Sequence, residues 1–204
     1  MGDPINNKFF LLYSNDKGDS WFTPDTSKLP DARKGMAAFA SSGTCIQFIN
    51  RSKIMFGVGG YIFPTFYQGT YKGSKWDMNM FGFAENVASS GIFSILFFNS
   101  RDGYVVGGDY LLPDDGRDSF AYHDGGDWHP AKSQPTGYRS CIEKLNKDYL
   151  ICCGTNGIDV AKIEKEINWI KISNEGFNVV QKAKKGNAVF LAGNNGKIAI
   201  MKIK

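Results

Sequence analysis

The amino-acid sequence predicts an all-β protein, and three features support that prediction. Short apolar runs alternate with clusters of Gly, Asn, Asp and Ser, which is typical of strands joined by turns. Glycine is abundant, with 24 residues in a chain of 204, whereas runs rich in the helix formers Ala, Leu, Glu and Lys are scarce. The apolar runs also recur at intervals along the chain, which indicates internal repeats.

Tryptophan marks the repeat. The four tryptophans, Trp21, Trp76, Trp128 and Trp169, are separated by 55, 52 and 41 residues. Each later unit opens with a glycine and a short apolar strand, as in "GMAAFA", "GIFSILFF", "GYRSCI" and "GFNVVQ". A second strand then runs into glycines, as in "IMFGVGG" and "YVVGGD", and two more strands follow, joined by the turn that precedes the tryptophan. Four strands in about 40–55 residues is typical of a β-propeller blade.

The blades can be placed in order along the chain. We expect a blade remnant at residues 1–30, blades at about 35–80, 91–131 and 137–173, and three final strands at 176–204. These strands, about 17 in all, make a little over four blades. We interpret 1–204 as a single β-propeller domain or the C-terminal part of one, and we expect further blades before Met1.

The segment "YSNDKGDSW" holds a polar box of Ser14, Asp16, Gly18, Ser20 and Trp21. It could hold a catalytic carboxylate or form a hairpin turn, in which Gly18 supplies a positive φ and the other side chains bond locally. Decayed copies recur at the other tryptophans: Gly73 and Trp76; Asp124, Gly126 and Trp128; Glu164 and Trp169. Because a catalytic residue does not need four copies, we interpret the box as a structural turn.

The box resembles the Asp box of sialidases and other bacterial-neuraminidase-type repeats. The order of motifs is similar to that of photosystem II assembly/stability factor-like propellers, whose non-photosynthetic bacterial members often carry an oxidoreductase label. The resemblance spans almost the whole chain, in "GDPINNKF", "AFASSGTC", "FGVGG", "GIFSILFF", "GYVVGGDYLLPDD", "AYHDGGDW", "GYRSCI", "CGTNG" and "AGNNGKIA". It implies a seven-bladed ring, of which this chain supplies about four blades, in a periplasmic or secreted protein with a signal peptide upstream of Met1.

The distribution of charge and the length of the apolar runs indicate which kinds of partner the chain can have. Residues 1–130 carry 11 Lys and Arg against 14 Asp and Glu, whereas residues 131–204 carry 13 against 6. The basic half is interpreted as a solvated lysine-rich face, with an acidic partner or anionic surface as the alternative. We expect no nucleic-acid partner because no such motif occurs, and no membrane span because no apolar run approaches 18 residues.

Neither the cysteines nor the glycine motifs indicate a cofactor or a metal site. Cys45, Cys141, Cys152 and Cys153 show no Cys-x-x-Cys spacing, so buried free thiols are favoured and a disulfide from Cys141 to the strand "YLICCG" is left open. Adjacent Cys152 and Cys153 should point to opposite faces of that strand. The glycine motifs precede strands rather than helices, so we expect no phosphate loop, nicotinamide or flavin.

Catalytic residues are not predicted. A sialidase needs an arginine triad, and only Arg51, Arg101, Arg117 and Arg139 follow the first 35 residues. Oxygen-rich "DYLLPDDGRDS" and the histidines His123 and His129 could bind a metal, but loop and turn roles are favoured. The candidate ligand-binding residues are polar groups at strand entries: Asp3, Ser42, Thr44, Asp109, Tyr110, Tyr138, Arg139 and Asn194. Arg139 is the first choice for a ligand contact, because its guanidinium can donate two parallel hydrogen bonds to a carboxylate or phosphate. For all of these residues the alternative is an architectural role, in hydrogen bonds between blades or within turns.

Two functions are consistent with the sequence. The leading hypothesis is an exported, non-catalytic β-propeller scaffold that binds a protein or peptide partner. The alternative is a carbohydrate-active propeller, either a glycoside hydrolase with Asp109 as one carboxylate or a glycan-binding protein. Exposed tryptophan or tyrosine rings at the mouth of the propeller channel would favour the alternative, because sugars stack on aromatic faces. All four tryptophans are instead assigned to blade turns, which counts against it.

Overall fold

The computed structural model describes residues 1–39, 41–50, 52–60, 63–70, 75–80 and 87–203. About 49% of the described residues are in strands and 3% in helices, and the sheets are antiparallel, so the all-β prediction is confirmed. None of the helices among the described residues is long and apolar enough to cross a membrane.

Consecutive strands form up-and-down meanders. The first meander contains β4 (Ile46–Phe48), β5 (Lys53–Gly60), β6 (Thr65–Thr70) and β7 (Trp76–Met80). The second contains β8 (Ser90–Phe97), β9 (Asp102–Asp109), β10 (Phe120–Asp124) and β11 (Trp128–Pro130). The third contains β12 (Cys141–Lys144), β13 (Tyr149–Gly154), β14 (Gly157–Lys162) and β15 (Trp169–Ser173). The fourth contains β16 (Val179–Lys182), β17 (Ala188–Ala192) and β18 (Ile198–Lys202), with a 3₁₀ helix at Asn194–Gly196.

The segment before the first meander is less regular than the sequence predicts. It contains β1 (Gly2–Ile5), β2 (Lys8–Phe10), a 3₁₀ helix at Thr26–Lys28, and β3 (Met36–Ala37). Strand β2 ends at Phe10, and the predicted hairpin around the polar box is held by one bridge between Tyr13 and Phe22. The strand expected from Gly35 is reduced to the two residues of β3, and β4, which the sequence did not predict, pairs with β5 as well.

The core lies between successive meanders. One buried cluster joins Met55 and Phe66 of the first meander to Ile95 of the second. Equivalent clusters join the second meander to the third, the third to the fourth, and the segment around Phe9 to the first meander. Each meander therefore buries apolar side chains against the next one, and strands β5, β8 and β13 are buried along nearly their whole length. The first two meanders also form one continuous sheet, because β5 pairs with β8 at Gly59 and Gly91.

Paired glycines allow this close approach. At Gly59 in β5, a Cβ atom would lie 2.3 Å from the carbonyl oxygen of Ser90 and 2.4 Å from the Cα of Gly91, both in β8 of the next meander. The second glycine of each pair has another role, since Gly60 and Gly108 both adopt a φ of +103°. Gly59 is thus required for space, whereas Gly60 is required for both space and backbone conformation, because a Cβ atom at Gly60 would lie 2.1 Å from the Gly35 carbonyl oxygen.

Candidate functional site

The polar box of residues 14–21 forms a closed local network. Asp16 Oδ1 accepts hydrogen bonds from Ser14 Oγ at 2.7 Å and Ser20 N at 2.9 Å, and Asp16 Oδ2 accepts one from Ser20 Oγ. Ser14 Oγ accepts the Gly18 amide at 2.7 Å, and Gly18 has a φ of +104°. The Trp21 indole Nε1 donates to Gly18 O at 3.1 Å. Every polar group of the box therefore acts within the turn.

The Asp16 network makes the hairpin sensitive to acid. Bonds from Ser20, followed by those from Ser14, hold the pKa of the Asp16 carboxyl well below its ordinary value of 3.8. Because the folded pKa is lowered, the carboxylate stabilises the turn above about pH 4, and this contribution is lost as the pH falls through the folded pKa. We expect Asp16→Asn to have a lower melting temperature than the wild type at pH 7, with the difference shrinking below about pH 4.

NMR titration of the Ser20 amide proton measures the same ionisation directly. We expect its shift to titrate with a midpoint below 3.8, and the transition to be absent in Asp16→Asn. A midpoint at or above 3.8 would show that the bonds to the carboxylate are not formed in solution.

The other tryptophan turns keep only part of this arrangement. Trp76, Trp128 and Trp169 are each the first residue of a fourth strand. In the second meander, Asp124 Oδ1 accepts the Gly126 amide at 3.1 Å, but the positive φ belongs to Gly125 rather than Gly126. The position of the glycine within this shorter turn is therefore shifted by one residue.

The third copy has lost the acidic cap, since Glu164 pairs with Lys162 at the surface and Trp169 is buried. The predicted turn residue Gly73 lies outside the described residues. The indoles of the box and its copies also differ in exposure, because Trp169 is buried whereas Trp21 is exposed.

Trp21 is the exposed member of the set, with 61% of its surface accessible. Its ring borders a cleft of about 750 Å³ between the polar hairpin and the first meander. Trp76 lines the opposite part of the cleft and packs edge-on against Phe56, with 5.5 Å between ring centroids. The hairpin and the first meander each contribute one indole to the same cleft.

The rest of the lining is mainly apolar. Aliphatic and aromatic side chains come from both walls: Leu11, Leu12, Leu29, Ile46, Phe48 and Ile54. Most of the polar lining atoms already have partners. Asp25 Oδ1 accepts bonds from the amide and hydroxyl of Ser27, and Trp76 Nε1 donates to Lys28 O at 2.9 Å. Lys17 and Lys28 add positive charge to the lining. The cleft therefore suits an apolar group with an acidic neighbour.

Arg139 has a structural environment. The side chain lies just before β12 and is completely buried. Its Nε donates to Asp159 Oδ2 at 2.6 Å, and its other four donors bind protein oxygens: Tyr138 O at 2.7 Å, Asn156 Oδ1 at 2.6 Å, Thr136 Oγ1 at 2.9 Å and Asp159 Oδ2. All five N–H groups are used within the chain, so this arrangement leaves no donor for an external ligand. It favours the architectural alternative for Arg139.

The candidates Tyr110 and Tyr138 are brought together by Phe93. Tyr138 packs edge-on against Phe93 at 4.7 Å between centroids, and burial raises the pKa of its hydroxyl to about 12. The Tyr110 ring packs edge-on to Phe93 with 6.1 Å between the ring centroids, and the Phe39 ring stacks on Phe93 with 4.2 Å between the centroids. Tyr138 is buried whereas Tyr110 is exposed, so Tyr110 is the member of this cluster that a ligand could reach.

The remaining candidates bond within the chain. Asp3 Oδ1 accepts a hydrogen bond from the Ala38 amide at 2.9 Å, and Asp109 Oδ1 accepts one from the Leu111 amide at 2.9 Å. The hydroxyl of Thr44 shares hydrogen bonds of 2.6 Å with the hydroxyls of Ser42 and Ser94. Asn194 Oδ1 accepts a hydrogen bond from Asn178 Nδ2 at 2.8 Å. These bonds close local turns or join loops to strands and to other loops. They are the local roles that the architectural alternative requires.

The acidic loop and the histidines are also internally paired. Asp114 accepts a bond from Asn156 at 2.8 Å, Asp115 pairs with Arg117 at 2.6 Å, and His129 lies 3.0 Å from Asp124. Within the described part of the chain, no group of three or more His, Cys, Asp or Glu side chains could hold a metal ion.

The chain matches no protein-family model and no curated protein. The arguments for function therefore depend on the residues and geometry described above. The cleft itself is not predicted by the sequence, although one signal points toward it. The run "FFLLY" is apolar at every position, although only one face of a strand at the surface of the protein packs on the core. The apolar side chains of its other face must therefore line a second apolar surface.

Proposed function

We propose that this chain is a non-catalytic binding protein built from β-propeller blades, in which the cleft beside Trp21 takes an apolar side chain of a protein or peptide partner. The repeated antiparallel meanders, each packed against the next, support the blade architecture. The apolar cleft with two indoles is the observation that supports binding. Export and a seven-bladed ring remain parts of the proposal that the family resemblance supports.

The chemistry of the cleft favours a peptide over a sugar. A bound sugar needs several polar protein groups for its hydroxyls, but here both indole N–H groups donate to backbone carbonyls. Asp25 and Ser14 are likewise used by the turns around them. An aliphatic or aromatic side chain would fill the cleft without leaving these groups unpaired, and an acidic neighbour could reach Lys17 or Lys28.

Selection from a random peptide library displayed on phage tests the proposal. We expect enriched peptides to combine an apolar anchor with an acidic residue, and Trp21→Ala to weaken the affinity of the synthetic peptide by roughly tenfold or more. Phe190→Ala is the matched control, because Phe190 is an exposed aromatic residue in the fourth meander, outside the cleft lining. Equal affinity of wild type and Trp21→Ala would exclude the cleft as the binding site.

A glycan ligand is the second candidate, and the exposed ring of Trp21 is the observation that favours it. A glycan array probed with the same two variants distinguishes the candidates. Binding of glycans that is lost in Trp21→Ala, without enrichment of peptides, would replace the peptide proposal. Hydrolysis of a glycoside substrate that is abolished by Asp109→Ala would overturn the non-catalytic interpretation altogether.

A further inference from the structure

Two of the four cysteines face each other across neighbouring strands. Cys141 in β12 is directly opposite Cys153 in β13, and both are completely buried. They belong to the core cluster between the third and fourth meanders. Cys152 belongs instead to the cluster between the second and third meanders, on the other face of the sheet. The adjacent residues of β13 therefore present one thiol to Cys141 and turn the other away.

The spacing of opposed residues is compatible with a disulfide. Paired residues in antiparallel strands have Cα atoms about 4.5–5.5 Å apart, within the range of about 4.4–6.8 Å that a disulfide spans. Hydrogen bonding between the two opposed thiols is the main reason why the pKa of Cys141 is lowered to about 7 while that of Cys153 is raised. Cys141 also lies 3.6 Å from Thr44 Oγ1 and 3.4 Å from Val180 O.

We propose that Cys141 and Cys153 are a disulfide-forming pair that cross-links the first two strands of the third meander. The Cys141 thiolate attacks a low-molecular-weight disulfide such as oxidised glutathione, which forms a mixed disulfide and releases one glutathione thiolate. Cys153 transfers its proton to that thiolate, and its sulfur then attacks the Cys141 sulfur and releases the second glutathione thiolate, which takes up from solvent the proton that Cys141 lost on ionising. Two protein thiols and one glutathione disulfide thus give one protein disulfide and two glutathione thiols.

Burial determines when this reaction occurs. Since neither sulfur is exposed in the folded chain, the oxidant reaches the pair while the strands assemble or when they open. The cross-link therefore forms readily during refolding and slowly in the native protein. This inference does not depend on the proposed binding function.

The experiment is refolding from urea in a glutathione redox buffer, followed by alkylation of free thiols in denaturant and mass spectrometry. We expect the four free thiols of the reduced chain to fall to two. Trypsin cuts after Arg139, Lys144, Lys147 and Lys162, so the cross-link should join peptide 140–144 to peptide 148–162. Four free thiols after refolding, in a chain with the circular dichroism of the native protein, would overturn the proposal.

Single variants identify the partners, because peptide 148–162 contains both Cys152 and Cys153. Cys152→Ala and Cys45→Ala should keep the cross-link, whereas Cys141→Ala and Cys153→Ala should lose it. In Cys152→Ala, peptide 148–162 contains Cys153 as its only cysteine. A cross-link to peptide 140–144 in that variant therefore identifies Cys153 as the partner of Cys141. Loss of the cross-link in Cys152→Ala, or a different pair of joined peptides, would contradict the assignment.

Discussion

Arg139→Ala is expected to lower the free energy of unfolding by about 3–5 kcal/mol, because it leaves the buried Asp159 carboxylate without its partner. Both side chains are completely buried, so the Asp159 carboxylate would lose its cationic partner in a site that bulk water does not reach. Urea denaturation followed by circular dichroism measures the change. The loss should appear in the midpoint of the transition, with little change in its slope.

Two further variants test whether the loss of stability comes from breaking the buried ion pair or merely from removing a positive charge. Arg117→Ala is the matched control, since its ion pair with Asp115 lies at the surface and should contribute only about 0–1 kcal/mol. The double variant Arg139→Met with Asp159→Leu should recover most of the loss, because it removes both charges together. If Arg139→Ala retained wild-type stability and lost only ligand binding, the ligand-contact hypothesis from the sequence would be correct and the structural role wrong.

Gly59→Ala is expected to destabilise the chain by about 3 kcal/mol, although it adds a single methyl group. The new Cβ would lie 2.3 Å from the Ser90 carbonyl oxygen and 2.4 Å from the Gly91 Cα, which are backbone atoms of the next meander. Backbone cannot rotate away as a side chain can, so the first and second meanders must separate. Thermal unfolding, with the urea transition as a second measure, tests this expectation.

Gly126→Ala is the matched control for the added methyl group. Its Cβ would meet only Asp124 Oδ1 at 3.5 Å, an ordinary contact, and Gly126 is not among the glycines with positive φ. We expect a change within about 0.5 kcal/mol of the wild type. Similar losses in the two variants would mean that contact between the meanders is not the reason for Gly59.

The strand repeat is predictable because its signals are local. Short apolar runs bounded by turn residues favour strands, and a tryptophan after a polar turn marks the start of β7, β11 and β15. Paired glycines such as Gly59 and Gly60 mark the end of a second strand. Prediction was poorest in residues 1–45, where the strands are short and the pairing with β5 depends on distant residues.

The site was harder to predict, and Arg139 shows the reason. The sequence reveals an arginine at a strand entry, but not that Asp159, twenty residues later, lies within 2.6 Å of it. That contact depends on the register of β14 against β13, which brings the carboxylate beneath the entry of β12. The arginine that the sequence analysis assigned to a ligand thus has its charge satisfied inside the protein.

The sequence by itself determined the all-β class, the repeating unit and the turn chemistry of residues 14–21, because each depends on neighbouring residues along the chain. Only the tertiary structure decided which indole is exposed, which cysteines are opposed and which candidate side chains are already paired. Exposure and pairing depend on how separate sheets pack, and residues far apart in sequence supply the two sides of each contact. The cleft beside Trp21 is one example, since its walls come from the N-terminal hairpin and the first meander.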